Sequence, residues 1–138
     1  MFKQSALLPK TTIAGAVADQ LSGVRGDLYG MKHLAIEANF LYGSSGTDLT
    51  VFVQTSLDGG ANWIDIATFH FLTTAARKVA TLNAGNSVTT VYTPTDGSLA
   101  DDTVKDGILG DRLRVKYTST GTYAGATSIE VNIVPKGA

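Results

Sequence analysis

"MKHLAIEANFLYGSSGTDLTVFVQT", residues 31–55, alternates apolar and polar side chains on either side of a turn cluster. Leu34, Ile36, Ala38 and Phe40 fall on one face, and His33, Glu37 and Asn39 on the other. A period of two is the spacing of a pleated strand with one buried side. The run "YGSSGTD" supplies the turn residues, after which Leu49, Val51 and Val53 resume the alternation. Two amphipathic strands joined by a turn point to an antiparallel, all-β chain.

The pattern continues outward from there. In "WIDIATFHF", residues 63–71, Ile64 and Ile66 alternate with Asp65, but the apolar positions then move to Phe69 and Phe71. That change of phase predicts a bulge or a bend near Ala67–Thr68. Further strands are predicted over 77–82, 87–93, 112–119 and 127–134. No window sustains a helical stripe, and "IAGAVADQLSG" (13–23) reads as strand or loop. The expected fold is an antiparallel β-sandwich, jelly-roll or immunoglobulin-like, of seven to eight strands. It is expected to occupy residues 13–138, with residues 1–12 as an N-terminal arm and 94–110 as the longest loop.

Composition narrows the function classes. The chain has 138 residues, 43% hydrophobic and 17% charged, with a formal net charge of −1. Near-neutrality supplies no attraction for nucleic acid or an anionic membrane, so neither is an expected partner. Cysteine is absent, which excludes disulfides and thiolate metal sites. The N-terminal apolar run is broken by Pro9 and Lys10 and makes a poor signal peptide. No stretch approaches the roughly 18 apolar residues of a membrane span.

One hairpin invites a catalytic reading. "SLDGGANW", residues 56–63, resembles the Asp-box of sialidases and other β-propellers. The motif also has a purely structural logic. Ser56 and Asp58 can bond loop amides, Gly59 and Gly60 can take positive φ, and Trp63 can close over the turn. A propeller repeats such a motif through blades of roughly 40–50 residues, whereas here it occurs once. A glycosidase also needs two facing carboxylates, and none are marked. The sialidase resemblance implies arginines around a substrate carboxylate, yet Arg25, Arg77, Arg112 and Arg114 have no such context. The hairpin is therefore read as structure, and no catalytic residue, metal site or cofactor is assigned.

Other signals divide similarly. Asp96, Asp101, Asp102 and Asp106 share one loop, but their spacing is not that of a calcium-binding loop, and a solvated acidic loop is the simpler reading. Arg112, Arg114 and Lys116 line one face of a strand. They form either an anion-binding stripe or an ordinary solvent face, with Lys116 opposite Glu130 if the last two strands pair. His33 and His70 have no ligand-like company, and "RGD" at Arg25–Asp27 is too short a motif to carry weight.

With its strands laid out, the chain resembles the small all-β virion proteins of tailed bacteriophages. The resemblance rests on "TDLTVFVQTSLDGGANWIDIATF" and "VKDGILGDRLRVKYTSTGTYAGATSIEVNIVPK". It implies a non-enzymatic structural protein of the virion, made in the host cytoplasm. A capsid decoration or head-surface component is implied first, and a tail or head–tail accessory protein would read similarly. The implied partners are further copies of itself, the major capsid protein, or both. Phe2, Leu7, Leu8, Pro9 and Ile13 are the arm residues expected to make such contacts. The alternative from another class is a carbohydrate-binding β-sandwich, with Trp63, Tyr92, Tyr117 and Tyr123 as aromatics to stack on sugar rings.

Overall fold

The computed structural model describes residues 3–137. Ten strands follow one another: β1 (Ser5–Thr12), β2 (Gln20–Leu21), β3 (His33–Leu41), β4 (Ser44–Ser45), β5 (Asp48–Thr55), β6 (Ile64–Phe71), β7 (Ala76–Asn83), β8 (Leu113–Thr120), β9 (Tyr123–Ala124) and β10 (Ser128–Lys136). The described residues contain no helix. Two four-stranded antiparallel sheets, β1-β10-β3-β7 and β2-β8-β5-β6, pack as a β-sandwich, and β4 and β9 form a short ribbon.

Alternation explains the packing. Leu34, Ile36, Ala38 and Phe40 of β3 are buried together with Ile129, Val131 and Ile133 of β10. The second sheet contributes Leu49, Val51 and Val53 of β5, Leu113 and Val115 of β8, and Phe69 and Phe71 of β6 to the same cluster. Across the layers, the Phe40 and Phe71 rings stack with centroids 5.1 Å apart, and Tyr123 meets Phe40 edge-on at 5.8 Å. Such pairs add about 0.5–1.5 kcal/mol beyond the area they bury.

Three details differ from the sequence reading. The expected arm is a strand: β1 pairs antiparallel with β10. Leu7, Leu8 and Ile13 are at most 5% exposed. Two register shifts, one beside Leu7 and one at Pro9–Lys10, break the alternation that would have revealed it. Pro9 sits on a sheet edge, where a missing N–H costs no ladder bond. Phe2 lies outside the described residues.

Residues 87–93, expected to be a strand, are irregular. They belong to the long connection 84–112, which crosses to the second sheet. Backbone bonds from Asp65 N to Thr95 O (2.8 Å), Thr68 N to Thr103 O (2.9 Å) and Lys105 N to Ile66 O (2.8 Å) close the outer edge of β6.

The β8 and β10 strands do not pair. They lie in opposite sheets, with Lys116 beside Phe52 and Leu21 rather than Glu130. The connection between them crosses the end of the sandwich, carrying Tyr123 into the core, where its hydroxyl donates to Leu72 O at 2.7 Å.

Candidate functional site

The bulge in β6 organises the polar surface of the second sheet. Val53 faces Ala67, but the next partners are Gln54 and Asp65, so Ile66 is the extra residue. The slip falls beside the predicted position. It lets Ile66 and Ala67 both enter the core while Asp65 turns outward beside Gln54. Without it, Asp65 would point into the apolar interior, at a large desolvation cost.

Asp65 is fully buried and well partnered. It accepts from Gln54 Nε2 (2.8 Å), Thr95 Oγ1 (2.8 Å), and the backbone N–H groups of Gly97 (2.7 Å), Ser98 (3.0 Å) and Leu99 (3.2 Å). One carboxylate thus ties the 95–99 segment to the sheet. Gln54 continues the array, donating to Asp96 at 2.6 Å and accepting from Arg114 Nε at 2.7 Å. Lys116 Nζ lies 3.1 Å from Asp96. Burial pulls the Asp96 carboxyl upward, but the Gln54 bond and the Lys116 ammonium outweigh it and hold the group below its ordinary value. Burial conversely depresses the Arg114 guanidinium, with Asp96 and Asp65 opposing that effect.

The hairpin abuts this array. Ser56 is buried, and its Oγ accepts from Gly60 N at 2.9 Å. Asp58 accepts from Asn62 Nδ2 (2.7 Å), Asn62 N (2.8 Å) and Ser56 Oγ (2.9 Å). These bonds, led by that of the Asn62 side chain, lower the Asp58 carboxyl to about 2. Gly59 and Gly60 take φ of 75° and 93°, which few other residues adopt without strain. Arg112 Nη1 donates to Gly59 O at 2.9 Å, and the Arg114 guanidinium lies 4.4 Å over the half-buried Trp63 ring. The stripe of Arg112, Arg114 and Lys116 is therefore a set of fasteners for the hairpin and the 95–99 segment.

The remaining sequence signals are scattered. Asp101 lies 3.6 Å from His70 Nδ1, Asp102 lies 2.9 Å from Lys78, and Asp106 accepts from Asn83 N. Asp101 and Asp102 both meet His70, while Asp96 and Asp106 face separate neighbourhoods, and no group of three or more metal-ligating residues occurs among the described residues. The expected solvated loop is instead pinned by its carboxylates. His70 also meets Asp48 at 3.2 Å, while His33 is exposed at the start of β3. Arg25 is tied to Asp27 at 3.1 Å, to Ser5 Oγ and to Lys3 O, so the "RGD" arginine is engaged internally.

Of the aromatics considered for sugar stacking, Tyr117 and Tyr123 are buried in the core. Tyr92 is half-buried under the Lys105 ammonium, 4.8 Å from its ring centroid. Trp63 alone reaches the polar array. Sequence reasoning missed Gln54 and Asp65. The one signal for Asp65 was a carboxylate inside an apolar run at a change of phase.

No family model matches the chain, and no curated protein matches it. In shape it is similar to a solved structure titled "CBM4 structure and function", with a TM-score of 0.46 and 14% identity over 92% of this chain and 70% of that one. A likeness at that level assigns neither ligand nor activity. The chain is an antiparallel β-sandwich whose polar side chains converge on Asp65 and on the 56–63 hairpin.

Proposed function

We propose that the protein is a non-catalytic structural subunit of a larger particle, of the kind found in tailed-bacteriophage virions, working through its surfaces. The observation that carries this reading is the engagement of the polar array. The Asp65 carboxylate, Gln54 and Arg114 are committed to fastening the hairpin and the 95–99 segment, as a structural role for this array requires. The two segments that carry the virion resemblance are also joined here. Arg112 and Arg114 of the second clamp Gly59 and Trp63 of the first. Purified protein added to tailed-phage heads stripped of accessory proteins is expected to co-pellet saturably. No saturable binding to heads, tails or whole particles would overturn the reading.

Trp63 favours a second reading, carbohydrate binding. It is a half-exposed ring at the rim of the polar array, and partly exposed tryptophans present an apolar face on which a sugar ring can stack. A glycan array separates the two. Binding that is competed by free sugar and lost in a folded Trp63→Ala variant would replace the structural reading with this one.

A further inference from the structure

Residues 87–93, "SVTTVYT", are strand-forming by composition and all but Tyr92 are exposed, Val91 at 95%. Among the described residues no hydrogen bond, backbone or side chain, involves positions 87–94. The Tyr92 hydroxyl is itself buried without a partner. Exposed residues of high strand propensity whose backbone groups bond to no other part of the chain are free to pair with a strand edge.

The fold offers one matching edge. The four outer strands are β1, β7, β2 and β6. The β1 edge is interrupted by two register shifts, β2 has two residues, and β6 is closed by Thr95, Thr103 and Lys105. Strand β7 runs eight residues without a shift and pairs with β3 alone, the 102–106 connection touching it at Lys78 and Asn83. Its Asn83 N–H points outward, to Asp106 Oδ1 at 2.6 Å. By the two-residue alternation of a strand, the backbone groups of Arg77, Val79 and Thr81 point the same way. They have no hydrogen-bond partner among the described residues.

The chain's own 87–93 segment does not occupy that edge. Asp106 sits at the Asn83 N–H where a hairpin ladder would begin, and it also holds Asn86 Nδ2 at 2.6 Å. Beyond Pro94 the chain is tied to the far side of β6 by Thr95. We infer that residues 87–93 add as a strand to the β7 edge of a second copy of this chain. Because the two elements flank one short turn, reciprocal exchange about a two-fold axis pairs both at once and closes the assembly as a dimer. This deepens the particle-subunit reading by naming a contact between copies.

The test is sedimentation velocity of the full chain, with amide hydrogen exchange on the same samples. Wild type is expected to dimerise, with slow exchange at the outward amides of Arg77, Val79 and Thr81 and within 88–92. Thr90→Pro removes a donor that bonds to nothing within the subunit, so the monomer fold and its far-UV spectrum persist. Association should weaken at least about tenfold, and protection should vanish at the outward amides of Arg77, Val79 and Thr81 and within 88–92, while the Lys78 and Ala80 amides stay protected by β3. Val79→Pro, which deletes an N–H that the β3 ladder does not use, should do the same from the acceptor side. A wild type monomeric up to its solubility limit would overturn the inference. So would a dimer indifferent to Thr90→Pro, or a monomer with both segments protected, which is an intrachain hairpin. A dimer that binds no particle would leave the inference standing and remove the particle reading. A particle-binding monomer would do the reverse.

Discussion

The guanidinium of Arg114 lies 4.4 Å over the ring of Trp63, joining strand β8 to the 56–63 hairpin. A half-buried tryptophan under a cation stabilises the hairpin through packing and through a cation–π contact worth about 0.5–2 kcal/mol. Trp63→Ala should cost about 2 kcal/mol, less than the truncation of a fully buried aromatic. A double-mutant cycle with Arg114→Ala, read by thermal melting, should give a coupling of about 0.5–1 kcal/mol. An unchanged melting temperature for Trp63→Ala would show that the ring does not hold the fold.

Asp65 should matter more than any residue of the hairpin. Asp65→Ala strands the N–H groups of Gly97, Ser98 and Leu99 and the Gln54 amide together. The expected loss is about 3 kcal/mol. Limited proteolysis should then cut within 94–106, a segment expected to resist cleavage in wild type.

Removing β1 should unfold the protein. Leu7 and Leu8 are buried between the sheets, and either Leu→Ala change should cost about 2–5 kcal/mol. A chain beginning at residue 13 is expected to show a collapsed far-UV signal and no cooperative melt. Retention of a sharp transition would restore the arm that the sequence suggested.

Acid should weaken the fold below the ordinary aspartate value of 3.8. Asp48, Asp58, Asp96, Asp102 and Asp106 are all held lower in the folded state, Asp58 at about 2. A depressed carboxyl contributes stability that is full above its unfolded value and is lost as pH falls through the folded one. Melting temperature should therefore fall progressively between pH 3.8 and about 2. Asp58→Asn should flatten part of that slope, and a slope unchanged by the substitution would mean that Asn62 and Ser56 do not hold the carboxylate in solution.

Local alternation made most strands legible, because β3, β8 and β10 each bury one face and leave the other partly exposed, and β5 alternates at its start before both faces are covered. The 56–63 hairpin was readable for the same reason, since its turn chemistry is contained within itself. What escaped was non-local. β1 was hidden by Pro9 and two bulges, and Lys116 was paired with Glu130 because sequence neighbours usually share a sheet. The role of Asp65 depends on partners about thirty residues away, at Thr95, Gly97 and Leu99. Residues 87–93 have a strand's composition, but no position within their own subunit completes a ladder with them.

Detection of the protein in native particles tests the structural-subunit reading most directly. Tailed particles purified by density gradient from lysates of the source should be probed with an antibody raised against this chain. The account predicts that it sediments with intact particles at a fixed ratio to the major shell protein, resists salt washing and leaves only on disassembly. Its absence from every particle fraction, with all of the protein free in the lysate, would contradict the account.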